Sequence, residues 1–193
     1  IIMSPPREHP GSDASFADSS RFSELRSRLA NRTGNGAGAG TAELSIDDIQ
    51  QLAEKARDRK LTPLQLLPVA SLVQGESAPE DYDKVARVIY NRLKKGMRLQ
   101  LDSTVNYALG TSELQLSAEQ LATDSPYNTY KNTGLPPGPI NSPGDAAIEA
   151  AINPASGSWL YFVTTDPKEQ ITEFATSYDD FLALKRKFQA NAG

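Results

Sequence analysis

The sequence predicts a helix-rich α+β single domain with a small β-hairpin and a long ordered region of polar and aromatic loop. Three observations carry that class. Helix-start signals recur through residues 43–193. The apolar period changes from helical to alternating once, at "SWLYFVTT" and "ITEFAT". Between these regions, residues 97–142 combine weak periodicity with many tyrosines and asparagines.

Residues 1–42 read as a flexible tail and linker. "MSPPREHPGSDAS" and "NRTGNGAGAGT" are too rich in Gly, Pro, Ser and Asn to bury a core, and "FSELRSRLA" between them allows a short helix through Phe22, Leu25 and Leu29. The domain proper is expected over 43–193. Its first helix is opened by Ser45, with Asp48 three residues on and a Leu44–Ile49 staple. The second opens at Thr62-Pro63, where Gln65 completes a capping box, and Pro68 should kink that helix or begin another. A third helix uses Tyr82, Val85, Ile89 and Leu93, with Gly96 as its left-handed stop. Ser117 opens a short helix. Pro143 opens another, with Ser142 as cap and Asp145 closing the box. The two β-type runs are joined by "DPKEQ" as a hairpin, and a last helix runs through Tyr178, Phe181, Leu182 and Phe188.

Composition removes several classes of function. The net charge of -4 provides no basic face for nucleic acid. With no cysteine, disulfides, a thiol nucleophile and cysteine-bound zinc are all excluded. The single histidine, His9, lies in the Pro-rich start, so a Ser-His-Asp triad cannot form within 43–193 and a histidine-built metal site is not expected. No run approaches the roughly 18 apolar residues of a membrane-spanning helix. Chemistry, if present, falls to carboxylates, hydroxyls, amides or lysine.

Glu76, in "ASLVQGESA", is the residue to weigh. It follows Leu66, Leu67, Val69, Ala70, Leu72 and Val73, an apolar set covering more than one side of a helix. A carboxyl at the end of a buried helix loses water and meets the negative end of the helix dipole, and both effects favour its protonated form. Such an acid suits proton donation to a glycosidic oxygen. A solvated, inert helix-end glutamate is the competing reading. Residues 97–142 also read two ways. Tyr107, Tyr127 and Tyr130, with Asn106, Asn128 and Asn132, either face a sugar polymer or pin a long loop to the core, and "GLPPGPINSPG" stiffens that loop with four prolines.

Over roughly residues 61–182, "LTPLQLLPVASLVQGES", "KVARVIYNRLKKGMRLQLDSTVNYALG", "SPYNTYKNTGLPPGPINSPGDAAIEAAINP" and "WLYFVT" resemble, in order and spacing, the endolytic murein transglycosylases, the YceG-like or MltG-like family. The resemblance implies endolytic cleavage of the β-1,4 bond between N-acetylmuramic acid and N-acetylglucosamine, leaving 1,6-anhydro ends, with Glu76 as the single catalytic acid and base. It implies no cofactor or metal, peptidoglycan glycan strands as substrate, cell-wall synthases as partners, and action at the extracytoplasmic face of the bacterial membrane. Candidate sugar-orienting residues are Asn91, Gln100, Asp102, Thr104, Tyr127, Asn128, Tyr130 and Pro137. Where family members often carry a second acid, this chain has Gln74. The family's membrane helix and LysM-like subdomain have no counterpart recognised in residues 1–60, so membrane association is expected only through an anchor absent from this chain. Two alternatives stand beside this reading. One is a hydrolytic muramidase using Asp102, which otherwise caps a turn at Ser103-Thr104. The other is a non-catalytic glycan-binding or scaffold domain.

Overall fold

A computed structural model describes residues 62–113 and 115–191. The expected tail, its short helix and the helix opened by Ser45 lie outside these residues. Helix α1 spans Pro63–Glu76. At its start the Thr62 backbone N–H donates to Gln65 Oε1 at 3.0 Å, the reach-back of a capping box. Leu66, Val69, Ala70, Leu72 and Val73 are all buried, as an apolar set wider than one helix face requires. Pro68 lies inside this single helix and does not begin another. It removes one amide donor, and the dense burial of its flanks holds the chain helical across the gap. Ser71 Oγ donates to the Pro68 carbonyl at 2.9 Å.

A 3-10 turn, Pro79–Asp81, leads into α2, Tyr82–Lys94. Tyr82, Val85, Ala86, Val88 and Ile89 form its buried face, and Gly96 ends it at φ +66°. Arg92 is buried on the same helix. Helix α3, Asp102–Leu109, lies in the stretch where the sequence showed little regular structure. Its N-cap, Leu101, makes no side-chain hydrogen bond, so the usual start signal is missing. Burial of Thr104 and Val105 holds the helix in place, and Gly110 closes it at φ +68°. The one-turn α4, Ala118–Leu121, has the expected cap. Gln120 N–H donates to Ser117 Oγ at 3.2 Å, and Ser117 N–H donates back to Gln120 Oε1 at 2.7 Å.

Helix α5, Asp145–Ile152, is capped by Gly144 and not by Ser142. The Gly144 N–H donates to Gln74 Oε1 at 2.8 Å, so a side chain from α1 replaces the local cap. Strands β1, Tyr161–Asp166, and β2, Ile171–Ala175, pair antiparallel with Phe162 opposite Phe174, as the hairpin reading requires. Helix α6, Tyr178–Asn191, covers β1 through Phe181, whose ring stacks on Tyr161 at 5.1 Å. The helix-rich α+β class is therefore the observed one. Helices α1, α2 and α5 pack on one another as the core, and the hairpin with α6 forms its flank. No helix among the described residues is long and apolar enough to cross a membrane.

Arg92 joins the two parts. Its Nε donates to the Leu160 carbonyl at 2.6 Å, and Nη1 donates to the Arg98 and Leu99 carbonyls at 2.8 and 3.1 Å. The guanidinium also lies 5.0 Å from the Tyr161 ring centroid. Burial lowers its pKa to about 10, still far above neutral, so the cation persists in the core. Only a planar fork makes these bonds together, so Arg92→Lys should cost about 2–4 kcal/mol of stability. Urea unfolding checks this, and an unchanged midpoint would contradict the bridging role.

Candidate active site

Helix α1 ends at Glu76 and α3 begins at Asp102, and the two ends meet. Glu76 is only 2% exposed. Its Oε1 accepts from the Ser103 backbone N–H at 3.3 Å and from the Ser103 hydroxyl. Oε2 is buried and has no hydrogen-bond partner among the described residues. Burial is the largest influence on this carboxyl, Asp102 adds like charge, and the Ser103 bonds oppose them. The balance pushes the pKa from 4.5 up to about 8, so Glu76 is mostly protonated at neutral pH.

Gly75 lies at this approach: a Cβ there would stand 3.4 Å from Ser103 Cβ, an ordinary contact, and 3.3 Å from Ile140 Cδ1, which would have to give by a few tenths of an ångström. A cleft of about 650 Å³ opens beside the acid, and Gly75, Asp102, Ser103, Tyr107, Ile140 and Asn141 are among the residues that line it. Three side chains lay the stiff loop along α1. Ser71 Oγ accepts from Ile140 N–H at 3.0 Å, Asn141 Nδ2 donates to the Ser71 carbonyl at 2.9 Å, and Gln74 Nε2 donates to the Ser142 carbonyl at 3.2 Å.

The structure sets the other expected residues in different places. Asp102 lines the cleft and opens α3, which replaces the expected isolated turn cap, and it accepts from the Tyr130 hydroxyl. Burial and Asp102 together raise the Tyr130 pKa well above the ordinary tyrosine range. Gln100 is buried at φ +56°, with Oε1 accepting from Arg92 Nη1 at 3.1 Å. Thr104 is fully buried. Its hydroxyl donates to the Leu101 carbonyl at 2.7 Å and lies 2.9 Å from Thr129 Oγ1. Asn128, also fully buried, donates to the Leu121 and Thr123 carbonyls at 3.0 and 2.8 Å and fixes the turn that presents Tyr130. Tyr127 packs on Tyr107 with ring centroids 4.7 Å apart. Pro137 is exposed. Asn91 belongs to another network, donating to the Gly157 and Trp159 carbonyls at 3.1 and 2.9 Å ahead of β1. Glu76, Asp102 and Tyr130 thus come together, with Gln100, Thr104 and Asn128 framing them from the core.

Ser103, Gly75, Arg92 and Asn141 escaped the sequence reading. Ser103 is 27 residues from the acid that it holds, and no spacing rule connects such a pair. Gly75, directly before Glu76, was the one visible signal. No cluster of His, Cys, Asp or Glu among the described residues has the makings of a metal site.

These features define a class: helix-rich α+β domains with a sheltered carboxylic acid beside an open cleft. The chain belongs to the YceG-like family, whose model matches residues 24–187. It is 42% identical over 141 residues to a Bacillus subtilis (strain 168) protein named endolytic murein transglycosylase, covering 72% of this chain and 39% of that one. A Streptococcus pneumoniae (strain D39) protein of the same name is 43% identical over 154 residues, covering 72% of this chain and 28% of that one. The chain therefore spans well under half the length of these relatives. A crystal structure of a yceG-like protein from Listeria monocytogenes superposes with a TM-score of 0.66 at 38% identity, covering 72% of this chain and 45% of that one.

The raised acid has a consequence for stability. Between about pH 4.5 and about pH 8 the folded chain holds a proton on Glu76 that the unfolded chain has released, so stability falls as pH rises through that window. Glu76→Gln removes the penalty. Its melting temperature should match the parent's at about pH 5 and exceed it at about pH 8.5, by several degrees for a gain on the order of a few kcal/mol. Parallel melting curves across this range would sink the assignment of a raised Glu76 pKa.

Proposed function

We propose that this chain carries the catalytic domain of a peptidoglycan lytic transglycosylase that cleaves the N-acetylmuramic acid–N-acetylglucosamine β-1,4 bond endolytically. The observation that carries the reading is Glu76, a buried protonated acid with Oε1 held by Ser103 and Oε2 unpartnered. The family and the names of its relatives support the substrate class.

With both Ser103 donors on Oε1, the proton sits on Oε2. That oxygen donates to the bridging glycosidic oxygen as the bond to C1 breaks. The aglycone then leaves as an N-acetylglucosamine hydroxyl, and C1 takes on oxocarbenium-like charge. Glu76, now a carboxylate, accepts the proton of the muramoyl C6 hydroxyl while that oxygen bonds to C1 and closes the 1,6-anhydro ring. The acid regains its proton, no water enters, and the two products together have the mass of the substrate. Asp102 adds negative charge beside the cleft, held by the Tyr130 hydroxyl, where it favours both the protonated acid and the cationic sugar. The enzyme acts on glycan strands at the extracytoplasmic face of the membrane, where cell-wall synthases supply them.

Asp102 on the same cleft also permits a second reading, hydrolysis by a carboxylate pair. Digestion of purified peptidoglycan followed by mass spectrometry separates the two. The lytic reading expects 1,6-anhydro muramic ends from the parent chain and at least about 10³-fold less product from Glu76→Gln. Water-added reducing ends would move the assignment to a muramidase, and equal turnover by both chains would remove Glu76 from the chemistry. Ser103→Ala removes a bond that favours the ionised acid. Its activity should fall about tenfold and the basic limb of its pH profile should move upward by about one unit, with Ser103→Thr restoring both. A loss of rate with an unmoved limb would leave Ser103 only a structural role.

A further inference from the structure

Two short segments, 100–104 and 128–130, interlock around Asp102. The Gln100 N–H donates to the Thr129 carbonyl at 3.2 Å, and the Leu101 N–H donates to Thr129 Oγ1 at 2.9 Å. On the other side of Asp102, Thr104 Oγ1 accepts from the Thr129 N–H at 3.3 Å and lies 2.9 Å from Thr129 Oγ1. Gln100, Leu101, Thr104 and Thr129 are all buried, so these bonds are shielded from competing water. Asn128 sets the direction of the residue that follows the lock. Its Oδ1 accepts from the Tyr130 N–H at 2.9 Å while its amide nitrogen holds the Leu121 and Thr123 carbonyls. The result is that the Tyr130 hydroxyl is delivered to Asp102 Oδ1.

A carboxylate on a short side chain at the border of a cleft samples several rotamers unless a donor holds it. Asp102 is half-buried, lines the cleft and directly precedes Ser103, which grips Glu76. The rotamer of Asp102 therefore sets how much of its charge Glu76 feels. Among the described residues, the charged and titratable groups acting at this point are Glu76 from α1, Arg92 from α2, Asp102 from α3 and Tyr130 from the 128–130 segment. A lysine or arginine in place of Tyr130 would hold Asp102 but cancel its charge. A phenol holds it and leaves the charge standing. Burial and Asp102 also keep the proton on this phenol, so Tyr130 remains a donor throughout the range in which Glu76 titrates.

We propose that Tyr130 is a positioning residue for the acid: its hydroxyl holds the Asp102 carboxylate beside Glu76, and the charge kept there retains the Glu76 proton until a glycosidic oxygen takes it. The consequence for catalysis rests on the lytic reading, but the coupling of the three side chains does not. It is therefore read without turnover. Full chains isotopically labelled at the glutamate carboxyl carbon are titrated by NMR, and the Glu76 signal is assigned by its absence from Glu76→Gln. Tyr130→Phe keeps the ring and removes the donor. Asp102→Asn keeps an acceptor for Tyr130 and removes the charge, and circular dichroism checks that both fold. In each variant the Glu76 midpoint should fall from about 8 by at least about half a unit, the opposite direction to Ser103→Ala. The basic limb of anhydro-end formation should move down with it. The double variant should fall no further than Asp102→Asn alone, because Tyr130 acts through Asp102. A purely structural Tyr130 would lower the melting temperature of Tyr130→Phe and leave the midpoint in place. A midpoint unmoved by Tyr130→Phe, one unmoved by Asp102→Asn, or shifts that add in the double variant would each overturn the proposal. Absence of anhydro ends from the unsubstituted chain would overturn the lytic reading alone.

Discussion

The carboxyl of Glu76, enclosed between the last turn of α1 and the first of α3, is the constraint on which the site depends. Two helix ends of opposite sign act on it. The α1 C-terminus disfavours its charge and the α3 N-terminus favours it, each by about 0.3–1 kcal/mol, so they nearly cancel. Ser103 also favours the anion through two donors. Burial overcomes these, because withdrawing an ionised carboxylate from water can shift its pKa by several units. The outcome is an acid that carries its proton at neutral pH yet sits close enough to neutrality to recover it. A chain lacking Ser103 would hold its proton more tightly, and one lacking the enclosure would lose it.

The enclosure is made by side chains that bond to main chain. Ser71, Gln74 and Asn141 fasten the 140–144 stretch along α1, Thr104 and Thr129 join α3 to the tyrosine segment, and Asn128 closes the turn before Tyr130. A long loop with little regular structure has many backbone groups to satisfy, and here buried polar side chains meet much of that demand. Arg92 has the same function on a larger scale, joining α2 to the 98–100 segment and to Leu160. Aromatic and polar residues in this region thus divide into two sets. Asn128, Thr104 and Gln100 face the core and hold the frame. Tyr107, Asp102 and Asn141 line the cleft.

Gln74 shows how one residue type settles a local geometry. An amide both donates and accepts, so it bonds the Ser142 carbonyl and the Gly144 N–H together and starts α5. A carboxylate could accept from Gly144 but not donate to Ser142. The expected Ser142 cap is displaced for that reason. A cap brought from α1 ties the helix start to the helix that carries the acid.

The helix and hairpin pattern was legible in the sequence because it rests on local chemistry. Thr62 with Gln65, Ser117 with Gln120, the stop at Gly96 and the alternation around Phe162 and Phe174 each act within a few residues. Glu76 could be singled out for the same reason, since the apolar run before it is visible in one dimension. Helix α3 was not legible, because its cap side chain is silent and its support is the surface of α1. Nor was the grip of Ser103 on Glu76, the burial of Arg92, the latch of Gln74 or the lone Asn141 oxygen. Each joins positions far apart in the chain or depends on what surrounds a group in space. Sequence alone determined which segments could fold and which acid stood at the end of a buried helix. Tertiary structure decided which of its oxygens is held and which polar groups face the cleft, because water exclusion and hydrogen-bond pairing belong to the packed assembly and not to any stretch of chain.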